Sequence, residues 1–169
     1  MQKIALLVEE TVEDIEFLYP YYRFQEAGYD VDVISQTQKE VRGKKGGTFK
    51  ADKSIKSIQS DDYELVFVPG GYAPDKLRTN PQITAFVKEI NERKKPVAAI
   101  CHGPWVLASA GVCQNRKMTA FPSIQDDLVN AGATYTGDPV TVDDNLITAT
   151  DPSALPQMFR TILSVLKQG

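Results

Sequence analysis

The stretch from Lys95 to Gly111, K-P-V-A-A-I-C-H-G-P-W-V-L-A-S-A-G, limits what this chain can fold into more than any other. Pro96 to Ile100 is an uninterrupted apolar run of small and β-branched residues. Such a run predicts a strand covered on both faces, as in a parallel sheet. The pattern changes at Pro104, where Pro-Trp-Val-Leu-Ala-Ser-Ala suits a helix with Pro in its first turn and Gly111 as its stop. Cys101, His102 and Gly103 are left to make a very tight turn between strand and helix. A thiol placed there faces unpaired backbone N–H groups and the positive end of the helix dipole. Both lower a cysteine pKa, so the sequence predicts an activated thiol. A cysteine at a strand end also fits a small buried hydrophobe. The flanking His-Gly-Pro favours reactivity, because Gly permits a strained turn and close backbone approach. The layout is that of a nucleophile elbow with Cys in the Ser place.

His102 is the single histidine. Mechanisms that need two histidines from one chain are excluded, and so are most His-rich metal sites. Any histidine helping Cys101 is its immediate neighbour or comes from another molecule. Cys101, Cys113 and His102 make a poor ligand set, so no metal is expected. Two cysteines are too few for a disulfide framework, and a reducing, cytoplasmic setting is the expectation. Cys113, after the helix, reads as structural. The net charge of -3 gives no basic surface for nucleic acid. The apolar run after Lys3 is too short for a signal peptide before Glu9, and no stretch approaches a membrane span. G-K-K-G-G and P-G-G-Y lack the pattern of nucleotide-binding loops, and no cofactor is expected. The 169 residues suffice for one domain spanning 1–169, without repeat or linker.

Along the chain, Lys3 to Val8 predicts a buried strand, followed by carboxylates from Glu9 to Glu16. A helix then runs to about Glu26, with Ile15, Phe17, Leu18, Tyr21, Tyr22 and Phe24 as its sheet-facing residues. Asp30 to Ser35 predicts a half-buried strand, and Gly43 to Gly47 a turn between two short ones. Residues 53–61 suggest a short helix plus loop. Leu65 to Val68 predicts another buried strand, ending in Pro69-Gly70-Gly71. Pro81 to Arg93 is an amphipathic helix with Ile83, Phe86, Val87 and Ile90 on one stripe. A helix from Ile124 to Ala131, short strands at 134–136, 140–142 and 146–148, and a final helix capped by Ser153 complete the reading. Alternating strands and helices argue an α/β sandwich with a mainly parallel sheet, whose sites form beyond the strands' C-terminal edges. The acidic cluster, the Pro-Gly-Gly turn and the Cys-His-Gly turn all fall there.

Four pieces carry a family resemblance: A-I-C-H-G-P-W-V-L-A-S-A-G-V (99–112), V-P-G-G-Y-A-P-D (68–75), E-D-I-E-F-L-Y-P (13–20) and D-D-L-V-N-A-G-A (126–133). The chain resembles the ThiJ/PfpI superfamily, most closely its PfpI-like branch, over nearly its whole length. The resemblance implies a flavodoxin-like three-layer sandwich. It implies Cys101 as nucleophile, Glu13 as the carboxyl beside the thiol, and the backbone N–H groups of Gly71 and His102 as an oxyanion hole. It implies that His102 is oriented by an acid of a neighbouring subunit, for which Asp75 is the matching position; Asp75 also fits a helix cap before Lys76. The chain departs from the branch at Lys45, where His is common, and at Thr150 and Ala154, where Arg and Asp are common. Three activities follow as expectations: cofactor-independent conversion of reactive carbonyls or glycated groups, peptidase action by Cys101, His102 and Asp75 across an interface, and thiol-based redox sensing or holdase action. Small carbonyl compounds or glycated and peptide substrates are the expected partners, in a homodimer or a hexamer.

Overall fold

The computed structural model describes residues 2–168. In chain order its elements are β1 (Lys3–Leu7), α1 (Asp14–Glu26), β2 (Asp30–Ser35), β3 (Glu40–Arg42), β4 (Thr48–Lys50), β5 (Lys53–Ser54), β6 (Leu65–Val68), α2 (Ala73–Leu77), α3 (Pro81–Glu92), β7 (Val97–Ile100), α4 (Pro104–Ser109), β8 (Lys117–Met118), α5 (Gln125–Asn130), β9 (Thr134–Tyr135), β10 (Val140–Asp143), β11 (Leu146–Ala149) and α6 (Leu155–Gln168). Seven strands form the main sheet in the order β10-β11-β7-β6-β1-β2-β5. Every pairing in it is parallel except the β10–β11 hairpin. That hairpin turns at Asp144, whose φ of 55° is the left-handed value a tight turn needs. The three central strands β1, β6 and β7 are apolar runs because helices cover both of their faces. Helices α1 and α6 pack against each other on one side, while α3 packs on β6 and β7 and joins α4 on the other. This is the expected three-layer α/β sandwich.

The order of the strands places the site. The chain moves from β1 outward to β2, then returns to β6 on the other flank of β1. The loops after β1 and β6 therefore diverge and leave a crevice at the strands' C-terminal ends. The turn after β7 closes its third side.

Three local expectations change. In α1 the inward residues are Glu16, Phe17, Pro20 and Phe24, whereas Ile15 and Tyr22 are 47% and 61% exposed. A helix starting at Asp14 turns about 100° per residue, which points Glu16 inward and Ile15 outward. The segment at 53–61 is an edge strand and two short 3-10 turns rather than a helix with a loop. Near the C-terminus Asp151, not Ser153, provides the cap: its carboxylate accepts the Ser153 N–H at 2.9 Å, and α6 begins only at Leu155. The other predicted strands and helices lie where the pattern places them, within a few residues, and α2 is a short helix that the pattern does not predict. Among the described residues no helix is long and apolar enough to cross a membrane.

Candidate active site

Cys101 follows the last residue of β7, and its φ is 62°. A non-glycine residue there costs about 1–2 kcal/mol, so the surroundings must hold it. They do so through its own backbone: its N–H donates to the Ala149 carbonyl at 3.0 Å, and its carbonyl accepts from the Phe121 N–H at 2.9 Å. The strain expected of the turn thus falls on the cysteine itself. Gly103 has an ordinary helical φ of -51° and serves close approach instead, since a Cβ there would lie 2.4 Å from the Val68 carbonyl oxygen. Gly111, with φ 75°, ends the helix as expected.

The carboxyl beside the thiol is Glu16, which corrects the expectation of Glu13. Glu16 is fully buried, and its Oε1 accepts the Gly70 N–H at 2.8 Å. Its Oε2 is buried without a hydrogen-bond partner, and the carboxyl lies close enough to the Cys101 thiol for each to shift the other's pKa. The cause is helical phase: Glu13 precedes the first turn of α1, and Glu16 is the first acid to point inward. Glu13 stays at the mouth of the same cleft, 3.8 Å from the Lys45 ammonium. An inward stripe spaced i, i+1, i+4, i+8 was the signal that could have found Glu16.

The thiol's electrostatics also differ from expectation. Burial first, and then the Glu16 charge, push Cys101 up to about 12, while the N–H groups of His102 and Gly71 pull it down. Sequence reasoning counts the amides but not the buried acid. Burial in turn raises Glu16 to about 7, against the opposing Gly70 N–H. Carboxyl and thiol therefore titrate as a pair that shares one proton above neutrality. Glu16→Gln leaves a single titrating group relieved of the neighbouring charge. Its thiol, followed by thiolate absorbance, is expected to ionise at least about one pH unit below the alkaline step of the wild type. The same variant tests stability. A folded pKa near 7, against about 4.5 for a free glutamate, makes the neutral carboxyl stabilise the fold fully below about pH 4.5, and that contribution is lost as pH rises through 7. Urea melts of wild type should weaken relative to Glu16→Gln by about 3 kcal/mol between those limits.

His102 faces the sulfur despite being its neighbour in sequence: Nδ1 lies 3.3 Å from Sγ. Its ring stacks on Phe121 at 5.1 Å and meets Trp105 edge-on at 5.0 Å. Burial, then the Lys44 charge, lower its pKa, so the imidazole is neutral at neutral pH. Nε2 lies 3.2 Å from the Ser123 hydroxyl, a partner that sequence reasoning missed and that no linear motif signals. Asp75 sits inside α2 rather than capping a helix, is exposed, and is not among the residues lining the cleft.

Glu13, Glu16, Lys44, Tyr72, Phe121 and Asp151 surround Cys101, His102 and Gly71 in a cleft of about 260 Å³. That volume admits a few-carbon molecule or the tip of a side chain. Gly71 and His102, the two amides expected to form an oxyanion hole, both direct N–H groups at the sulfur. Among the described residues no group of three or more His, Cys, Asp or Glu side chains could hold a metal ion.

The chain is similar to known proteins over nearly its whole length. A family model described as DJ-1/PfpI family matches residues 2–165. The chain is 40% identical over 168 residues to the Escherichia coli protein named protein/nucleic acid deglycase 2, covering 98% of each chain. It is 38% identical over 170 residues to general stress protein 18 of Bacillus subtilis, covering 99% of each. Among solved structures, a two-domain Anabaena variabilis protein with DJ-1/ThiJ/PfpI-like and ferritin-like domains superposes with a TM-score of 0.96 at 38% identity. The match covers 99% of this chain and 48% of that one, so this chain spans about half its length.

Proposed function

Because this chain belongs to the DJ-1/PfpI family, we propose that it is a cofactor-independent enzyme acting on reactive carbonyls, of the glyoxalase or deglycase type. The observation that carries the reading is the assembly of a strained Cys101, the buried Glu16 carboxyl and the neutral His102 imidazole in a cleft sized for a small carbonyl. Relatives named deglycase support it.

The chemistry follows from the groups present. The thiol proton passes to His102 Nδ1, and the sulfur electron pair adds to the aldehyde carbon of a 2-oxoaldehyde. The developing oxyanion is held by the Gly71 and His102 N–H groups, whose fixed orientation avoids reorganisation in the transition state. Protonation yields a hemithioacetal. Glu16, with its pKa near 7, can both take and return a proton at neutral pH. It removes the proton from the former aldehyde carbon and returns it to the adjacent carbon, while the hemithioacetal hydroxyl proton moves to the neighbouring ketone oxygen, leaving a 2-hydroxy thioester on Cys101. Water cleaves that thioester to the hydroxy acid and regenerates the thiol. On a glycated side chain the same addition would act on the adduct's carbonyl carbon.

The Cys101–His102 contact also suits a peptidase, but that reading needs Asp75 of the partner subunit at His102. Incubation of the purified protein with methylglyoxal, without added thiol or metal, is expected to form lactate. Absence of lactate at millimolar aldehyde would remove the carbonyl reading, and cleavage of a casein probe in the same preparation would replace it with the peptidase.

A further inference from the structure

We propose that Ser123 is the positioning residue of His102: its hydroxyl oxygen accepts the Nε2–H of the imidazole and thereby leaves the Nδ1 lone pair facing the Cys101 thiol. The proposal rests on the reading above only in taking Cys101 as the nucleophile.

The device is built into one loop. Phe121 N–H donates to the Cys101 carbonyl at 2.9 Å, which ties the loop to the turn that carries the thiol. A 3-10 turn over Pro122–Ile124 follows, closed by Ile124 N–H donating to the Phe121 carbonyl at 3.1 Å. This short arc puts the Phe121 ring against the imidazole face and the Ser123 Oγ 3.2 Å from its far nitrogen. Trp105 closes the other side, itself held by its indole N–H donating to Asp127 at 2.7 Å. The ring is thus held by Phe121 and Trp105, and the hydroxyl decides which nitrogen carries the proton.

A neutral imidazole has one N–H and one lone pair, and the partner of one nitrogen sets the tautomer of the other. With Nε2–H on Ser123, the thiol S–H bond breaks as the N–H bond at Nδ1 forms, and the electron pair stays on sulfur. The resulting imidazolium keeps its Nε2–H on Ser123, so no proton enters or leaves the serine. A carboxylate at this position would stabilise the imidazolium permanently, whereas a hydroxyl leaves the ring neutral before the transfer. Ser123 occupies Nε2, the nitrogen through which an acid of a neighbouring subunit would otherwise orient the ring.

One histidine in the chain makes the test direct. Nitrogen-15 spectra of the labelled imidazole near neutral pH report its tautomer, and iodoacetamide alkylation reports the thiol, since Cys113 is fully buried. The wild type is expected to show the Nε2–H form. Ser123→Ala should shift the resonances toward a mixture of tautomers and slow alkylation about tenfold, a part of what a positioned general base contributes. Ser123→Thr should restore both. Unmoved resonances in Ser123→Ala, or an Nδ1–H wild type, would overturn the assignment. These readouts do not depend on the substrate. Failure to form lactate with the expected spectra would remove the carbonyl reading alone, and lactate formation with unchanged spectra would remove the role of Ser123 alone.

Discussion

Cys101→Ser is expected to lower lactate formation from methylglyoxal by about 10³-fold or more while leaving the fold intact. The hydroxyl takes the same backbone position and is close in volume, so the turn and its hydrogen bonds to Ala149 and from Phe121 persist. What is lost is the polarisable sulfur and an acidity that Nδ1, at 3.3 Å, can exploit. A hydroxyl is far less acidic than a thiol, and the amides of Gly71 and His102 cannot make up the difference. Residual rate would come from the oxyanion donors and Glu16 alone. The melting temperature should stay within about 3 °C of wild type, the shift expected from roughly 1 kcal/mol in a chain of this size. Retained turnover would show that the thiol is not the nucleophile. A large fall in melting temperature together with lost turnover would instead show that Cys101 holds the turn.

The largest expected effect on stability belongs to Gly71. Its φ of 76° is unfavourable for any side chain, and a Cβ there would lie 2.3 Å from the Glu13 amide nitrogen and 2.6 Å from the Thr11 carbonyl oxygen. Those atoms are backbone, held by the Val12–Gly71 bridge and by Tyr72 N–H donating to Thr11 at 2.9 Å, so they cannot step aside cheaply. Gly71→Ala should cost about 3 kcal/mol or more, the sum of left-handed strain and overpacking. Gly111→Ala is the matched control. Its φ is 75°, but nothing lies within 4 Å of the added carbon, so strain of about 1 kcal/mol is the whole cost. Chemical denaturation of both variants separates the two effects. Equal losses would mean that the crowding between the two loops is not real. The shift needed at Gly71 also moves its N–H away from the sulfur.

The features legible in the chain are those with a local cause. Buried strands announce themselves as apolar runs, and the change from Ile100 to Pro104 marks a strand passing into a helix across a turn too short for anything but a tight bend. The Pro-Gly-Gly turn and the acidic loop could be placed on the same edge from the alternation of elements alone. Glu16 was harder to see, because choosing between Glu13 and Glu16 requires the starting residue of α1. One residue of error there rotates every side chain by 100°. Ser123 was out of reach: it meets His102 only because the Phe121 amide binds the Cys101 carbonyl, a contact across 20 positions.

The thiol shows the division most clearly. Sequence determined that a cysteine would stand at a strand end before a helix, with amides nearby, because strand, turn and helix are coded by neighbouring residues. Tertiary structure decided what that cysteine would face. It buried the sulfur and brought a fully buried carboxyl from α1 beside it, and so reversed the expected direction of its pKa against the pull of the Gly71 and His102 amides. The reason is physical: acidity depends on burial and on charges a few ångströms away in space, and only the packing of distant segments sets those distances.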